Sequence, residues 1–122
     1  MKLKTYIGTR ERGDQDPHGD LEVLVQDEVT GILYCLPLCL DHVNHSPTGF
    51  ECGYNGSGPA QLAFAVLADH LSDPEAARAL YQAFKNAVVA RLPREGFRLD
   101  SREINDWIDG YNQSLAEQGV RS

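Results

Sequence analysis

Leu3, Thr5 and Ile7 alternate with Lys2, Lys4 and Tyr6, the period-two pattern of a strand with one buried face, and Gly8 marks its expected end. Thr9 to Asp20 carries Gly13, Asp14, Asp16, Pro17, Gly19 and Asp20, residues that favour a loop. Leu21, Val23 and Val25 alternate again, and Asp27-Glu28-Val29-Thr30-Gly31 then supplies hairpin-turn residues. Ile32 to Leu36 is the expected return strand. Pro37 has no amide hydrogen for a ladder, so this strand lies on an edge or ends there. Phe50 to Tyr54 is a candidate for a further short strand.

The period changes in the second half. Pro59 to Leu71 is apolar on nearly every face of a helix (Ala60, Leu62, Ala63, Phe64, Ala65, Val66, Leu67, Ala68), which predicts a helix buried all round. Asp73-Pro74 is an N-cap followed by proline at the first helical position. Ala77, Leu80, Tyr81, Phe84, Val88 and Leu92 then fall at helical spacing, and Pro93 with Gly96 ends that segment. Asp100 and Glu103 have the spacing of a capping box ahead of the stripe Ile104, Trp107, Ile108, Tyr111, Leu115. The expected fold is one α+β domain over residues 1–122, a small antiparallel sheet of about three strands followed by three helices.

Charge narrows the function. Eighteen acids against eleven bases leave the 122-residue chain at −7, the wrong sign for a protein that grips nucleic acid through many phosphates. No apolar run approaches the roughly 20 residues that span a bilayer, and the start lacks a signal-peptide core, so a cytoplasmic location is expected. Cys35, Cys39 and Cys52 are an odd set that a reducing compartment keeps as thiols, and Cys35 and Cys39 read as buried space-fillers in an apolar run.

The densest chemistry lies between His45 and Gln61. Glycines at 53, 56 and 58 let a ligand approach the backbone, and the segment leads directly into the buried helix, whose first amides have no intrahelical partner. Such a terminus attracts anions. Arg10, His45, Ser46, Thr48, Tyr54, Asn55, Ser57, Gly58 and Gln61 are the expected lining, with Tyr54 placed to stack on a base. The plainer alternative is that Gly-Ser-Gly-Pro only begins a helix. No lysine or arginine occurs between Arg12 and Arg78, so a cation for an anionic ligand must come from Arg10, Arg12, Arg78 or Lys85. The P-loop ending and the dinucleotide fingerprint are both missing.

Enzymatic readings have less to stand on. Cys35, Cys39, His42, His45 and Cys52 are zinc-type ligands within eighteen positions, but their spacing matches no paired knuckle, and no metal or other cofactor is expected. Cys52 with His45 or His70 as base lacks anything that orients the pair, so no catalytic residue is assigned. His70 suits the C-terminal end of its helix.

The stretch His45-Ser46-Pro47-Thr48-Gly49-Phe50-Glu51-Cys52-Gly53-Tyr54-Asn55-Gly56-Ser57-Gly58-Pro59-Ala60-Gln61-Leu62-Ala63 resembles the signature of a family of small proteins of unknown function from bacteria, phages and mobile elements. Tyr6 to Arg10 and Tyr81 to Lys85 extend the resemblance over most of the chain. Cys52 stands where the family pattern leads one to expect an aromatic residue, and Asn55 where it leads one to expect glycine. The resemblance implies no activity. Its setting implies a non-enzymatic protein that sequesters a nucleotide-like host defence signal, or one that blocks a host defence protein through its acidic surface. The stripe Trp107, Ile108, Tyr111, Leu115 is a candidate homodimer interface, the alternative being that Trp107 and Ile104 dock on the open face of the sheet.

Overall fold

A computed structural model of the chain describes residues 3–10, 21–47 and 49–120. Four strands form one antiparallel sheet: β1 (Lys4–Arg10), β2 (Leu21–Asp27), β3 (Leu33–Cys35) and β4 (Gly96–Asp100). Their order is β3-β2-β1-β4, with Tyr6 opposite Val25 on one side and Leu99 on the other. The helices are α1 (Ser57–Leu71), α2 (Pro74–Ala87), followed by a 3-10 turn at Val89–Arg91, and α3 (Ser101–Val120). The fold is therefore α+β, with one strand more than the hydrophobic pattern predicts.

That fourth strand stands between the second and third helices, where only helix-ending signals were expected. Phe97 and Leu99 are buried and Arg98 is exposed, the alternation of a half-buried strand. β1 does not end at Gly8 but continues to Arg10, because the Phe97 ring of β4 packs where a Gly8 side chain would be. A Cβ there would lie 2.2 Å from the ring, so glycine in mid-strand here makes room for an aromatic neighbour. Phe50 makes a lone bridge to Leu21 and the segment to Tyr54 forms no strand. From residue 11 onward the predicted Thr9–Asp20 loop lies outside the described residues.

The turn and cap readings hold. The Asp27 carboxylate accepts from the amides of Val29 (2.9 Å) and Thr30 (3.1 Å), which close the β2–β3 hairpin and hold its pKa below the ordinary value. Asp73 caps α2 through the amides of Glu75 and Ala76. Asp100 and Glu103 form the reciprocal capping box of α3, at 2.9 and 3.4 Å. The second helix ends at Ala87, five residues before the predicted Leu92, and Val88 leaves helical geometry to enter the 3-10 turn.

α1 lies against the sheet through Tyr6 and Asp69, and α2 packs on α1. Gly58 to Leu67 of α1 is buried without a break, against Tyr6, Val23, Val25 and Leu99 of the sheet and Ala77 and Phe84 of α2. Trp107 meets the Phe84 ring edge-on at 5.1 Å and Tyr111 stacks on Trp107 at 5.1 Å, so the α3 stripe docks on α2 rather than on the open side of the sheet. Leu115 alone among its large members is mainly exposed, at 46%. Among the described residues, no helix is long and apolar enough to cross a membrane.

Candidate functional site

The structure divides the predicted lining into two groups. Tyr54, Asn55, Ser57 and Gly58 gather at the start of α1, whereas His45, Ser46 and Gln61 sit a turn further along it. Thr48 lies outside the described residues.

Gln61 requires a correction. Its side chain is fully buried: Oε1 accepts from the amides of His45 (2.8 Å) and Ser46 (3.1 Å), and Nε2 donates to the carbonyls of Leu38 (2.6 Å) and Val43 (2.8 Å). Both donors and the oxygen are thereby committed, and the amide ties the 38–46 segment to α1 instead of facing a ligand. His45 is exposed, with Nε2 2.9 Å from the Tyr81 hydroxyl. The Ser46 hydroxyl donates to the Gly49 carbonyl at 2.7 Å. This second group organises a loop.

The first group surrounds a helix end that no side chain caps. Gly56 occupies the cap position, and no acidic residue stands in the first turn of α1. Ser57 is exposed at the tip. Gly58 is buried, and a Cβ on it would lie 2.6 Å from Cβ of Glu51, so its bareness serves close packing with that segment. The Tyr54 ring covers Gly56 and is 39% exposed, with the Arg94 guanidinium 5.2 Å from its centre. Asn55 donates to Asn86 at 3.0 Å across to the end of α2. Gly53 holds the approach to Tyr54 at φ +83°, where the Leu92 carbonyl and the Arg94 side chain leave no room for a Cβ.

Arg10 lies beneath this end. Its guanidinium forks onto Glu51 at 2.6 and 3.1 Å, and Nε donates to the Arg94 carbonyl at 2.8 Å. Hydrogen bonding to Glu51 raises its pKa above the ordinary value. With a side chain only 7% exposed, Arg10 neutralises Glu51 and fixes the Pro93–Glu95 turn rather than reaching outward. Arg94 is the cation that lies on the Tyr54 ring and against Gly53, in the segment that leads into the helix. It was not among the expected four, and placing it requires β4, which ends the turn that carries it. Arg78 is elsewhere, bound to Glu75 at 2.8 Å and to the His42 carbonyl at 3.2 Å.

A second polar centre was not anticipated. At the other end of α1 the Asp69 carboxylate accepts from Tyr6 (2.6 Å), Tyr34 (2.8 Å) and Lys4 (3.1 Å), and Lys4 also donates to the Tyr34 hydroxyl at 2.8 Å. Burial, then Asp69, pushes the Tyr6 phenol far above its usual range, and Tyr34 moves the same way with burial first. Burial opposes the Lys4 charge, but Tyr34 and Asp69 outweigh it and raise the pKa. The alternation sets Lys4 and Tyr6 together on the face opposite Leu3, Thr5 and Ile7, and it is this Lys4–Tyr6 face that turns toward α1.

The cysteines also differ from expectation. Cys52 is the buried space-filler, with burial lifting its thiol pKa, whereas Cys35 is exposed and Cys39 half-buried. Among the described residues no group of three or more His, Cys, Asp or Glu side chains converges to hold a metal.

Fold and site together define a two-layer α+β domain in which a buried central helix presents an uncapped N-terminus beside a tyrosine ring that carries an arginine on its face. The chain belongs to a family of unknown function (DUF6166), whose family model matches residues 11–110. No curated protein and no solved structure matches the chain.

Proposed function

We propose that this is a non-enzymatic binding protein that takes an anionic, nucleotide-like small molecule at the start of α1. The observation that carries the reading is the uncapped tip itself: Ser57 exposed, no acid in the first turn, and the Arg94–Tyr54 pair alongside. The Ser57 and Gly58 amides and the helix dipole would hold the anionic group, with Arg94 supplying charge. The exposed Tyr54 ring would accept a base, and Asn55 polar edges. In this reading the protein sequesters a host defence signal of cyclic-nucleotide or ADP-ribose type in the bacterial cytoplasm.

Thermal unfolding against a panel of such nucleotides tests it. A true ligand at 100 times its Kd stabilises by about 2.7 kcal/mol. The stabilisation should fall with Arg94→Ala and with Tyr54→Ala. A panel without a single shift contradicts the reading.

A second reading, blockade of a basic protein partner, draws on α3. Glu103, Asp106, Asp109 and Glu117 are all exposed on its outward side. Capture of a host protein that weakens steeply with salt, and with lysines at Asp106 and Asp109, would favour it.

A further inference from the structure

A cavity of about 320 Å³ opens where the start of β1 meets the β2–β3 turn, the end of β4 and the start of α3. That volume suits a small metabolite. Thr5 and Ser101 are its buried lining, and Glu28, Asp100 and Arg102 stand around them. Ser101 is used up: its hydroxyl accepts from the Lys4 amide at 2.7 Å and donates to the Lys4 carbonyl at 2.9 Å. Thr5 is not. It points away from α1, since its neighbours Lys4 and Tyr6 face Asp69, and yet it is only 7% exposed. Its hydroxyl donates to Glu28 at 2.7 Å, and among the described residues nothing donates back to that oxygen.

The charges around Thr5 are also unspent. Asp100 is its partner in the β1–β4 register, so the two side chains leave the sheet on the same side, with Cβ atoms roughly 5 Å apart. Asp100 gives Oδ1 to the Glu103 amide at 2.9 Å and keeps Oδ2, and Glu28 keeps Oε2 beside its bond to Thr5. Among the described residues Glu28, Asp100 and Arg102 enter no ion pair, and the Lys4 ammonium is held on the opposite face by Asp69 and Tyr34. Two carboxylates and a guanidinium thus share one cavity without neutralising each other.

We propose that this cavity binds a free α-amino acid, with its ammonium on Thr5, Glu28 and Asp100 and its carboxylate on Arg102. The occupant follows from the donor count. A primary ammonium carries three N–H donors and no acceptor, and the seat offers three acceptors, one of them the buried Thr5 oxygen. A guanidinium in turn grips a carboxylate through paired hydrogen bonds. A divalent cation would need more oxygens than this: among the described residues no group of three acids converges. A simple anion would meet two carboxylates. Leu3, half-buried in the lining, leaves an aliphatic contact for the ligand's side chain. The cavity lies at the opposite end of β1 from Arg10, so it is separate from the proposed site at the start of α1.

Amide chemical shifts of the full chain during titration with L-leucine and with glycine test this. Saturable shifts should appear at Thr5, Ser101 and Arg102, with a Kd of about 1 mM or tighter, while Ser57 and Gly58 stay in place. Trimethylglycine keeps both charges but has no N–H, and it should bind at least about tenfold more weakly than glycine. Arg102→Gln, a change at an exposed side chain, should weaken L-leucine by about tenfold and leave n-butylamine, which has no carboxylate, unaffected. The ligand series on the unaltered chain does not depend on how the variant folds. No saturable shift at these residues up to about 50 mM of either amino acid overturns the proposal. So does trimethylglycine binding as tightly as glycine, or L-leucine binding unchanged in Arg102→Gln.

Discussion

At its C-terminal end α1 presents Asp69 to three donors at once, two phenols and an ammonium drawn from β1 and β3. At its N-terminal end the same helix has Gly56 in the cap position and no side chain closing the first turn. Only the His70 Nδ1 spoils the order of the C-terminal end, being buried without a partner among the described residues while Nε2 meets Asn105 at 2.7 Å. The contrast teaches where chemistry remains available. A polar group already bound inside the fold contributes to stability and specificity of packing; one left open toward solvent can recognise something else. By that criterion the Asp69 cluster and Gln61 hold the structure, and the Ser57 tip faces outward.

The strongest way to break the comparison is to show that Gln61 is dispensable. Gln61→Leu keeps the bulk but strands two amides and two carbonyls, and should destabilise by about 3–5 kcal/mol in chemical denaturation. Asp69→Ala comes next. It leaves the fully buried Tyr6 hydroxyl without its acceptor, at about 2–3 kcal/mol, whereas Tyr34→Phe removes one bond of the cluster and should cost about 1 kcal/mol.

Alkali sharpens the same point. Lys4, Tyr6 and Tyr34 all have pKa values raised in the folded protein. The unfolded chain therefore releases protons that the folded chain keeps, and their stabilisation, full below about pH 10, declines as pH rises beyond it. Phenolate absorbance should show Tyr6 ionising only as the protein unfolds and Tyr34 ionising at higher pH than a free tyrosine. Tyr6 and Tyr34 ionising at the ordinary tyrosine pKa in the folded protein would contradict the cluster. The smallest effect belongs to the open end: Ser57→Ala should change stability by less than about 0.5 kcal/mol, because the exposed hydroxyl caps nothing.

Local chemistry was legible in the sequence where a few adjacent residues decide it. The Asp27 turn, the Asp73 cap and the Asp100–Glu103 box are each complete within five residues, and each forms as read. β4 was not legible, because Gly96–Asp100 is short, follows proline and glycine, and finds its partner β1 some ninety residues earlier. With β4 unseen, neither the Phe97 ring over Gly8 nor Arg94 beside Tyr54 could be placed. Gln61 was misjudged for another reason. In a helix buried all round, periodicity does not distinguish a lining face from a packed one. The usable signal was its solitude, as the one polar side chain within the unbroken buried run Gly58–Leu67.

The start of α1 is the open end, and the proposal stands on its binding an anion. Amide chemical shifts during titration with an ADP-ribose-type or cyclic nucleotide test it residue by residue. Saturable shifts are expected at Ser57, Gly58 and Tyr54 and at the Arg94 side chain, with Asp69, His70 and Asn105 unmoved. Shifts confined to the Asp69 end or to α3, or none with any nucleotide of the panel, would contradict it.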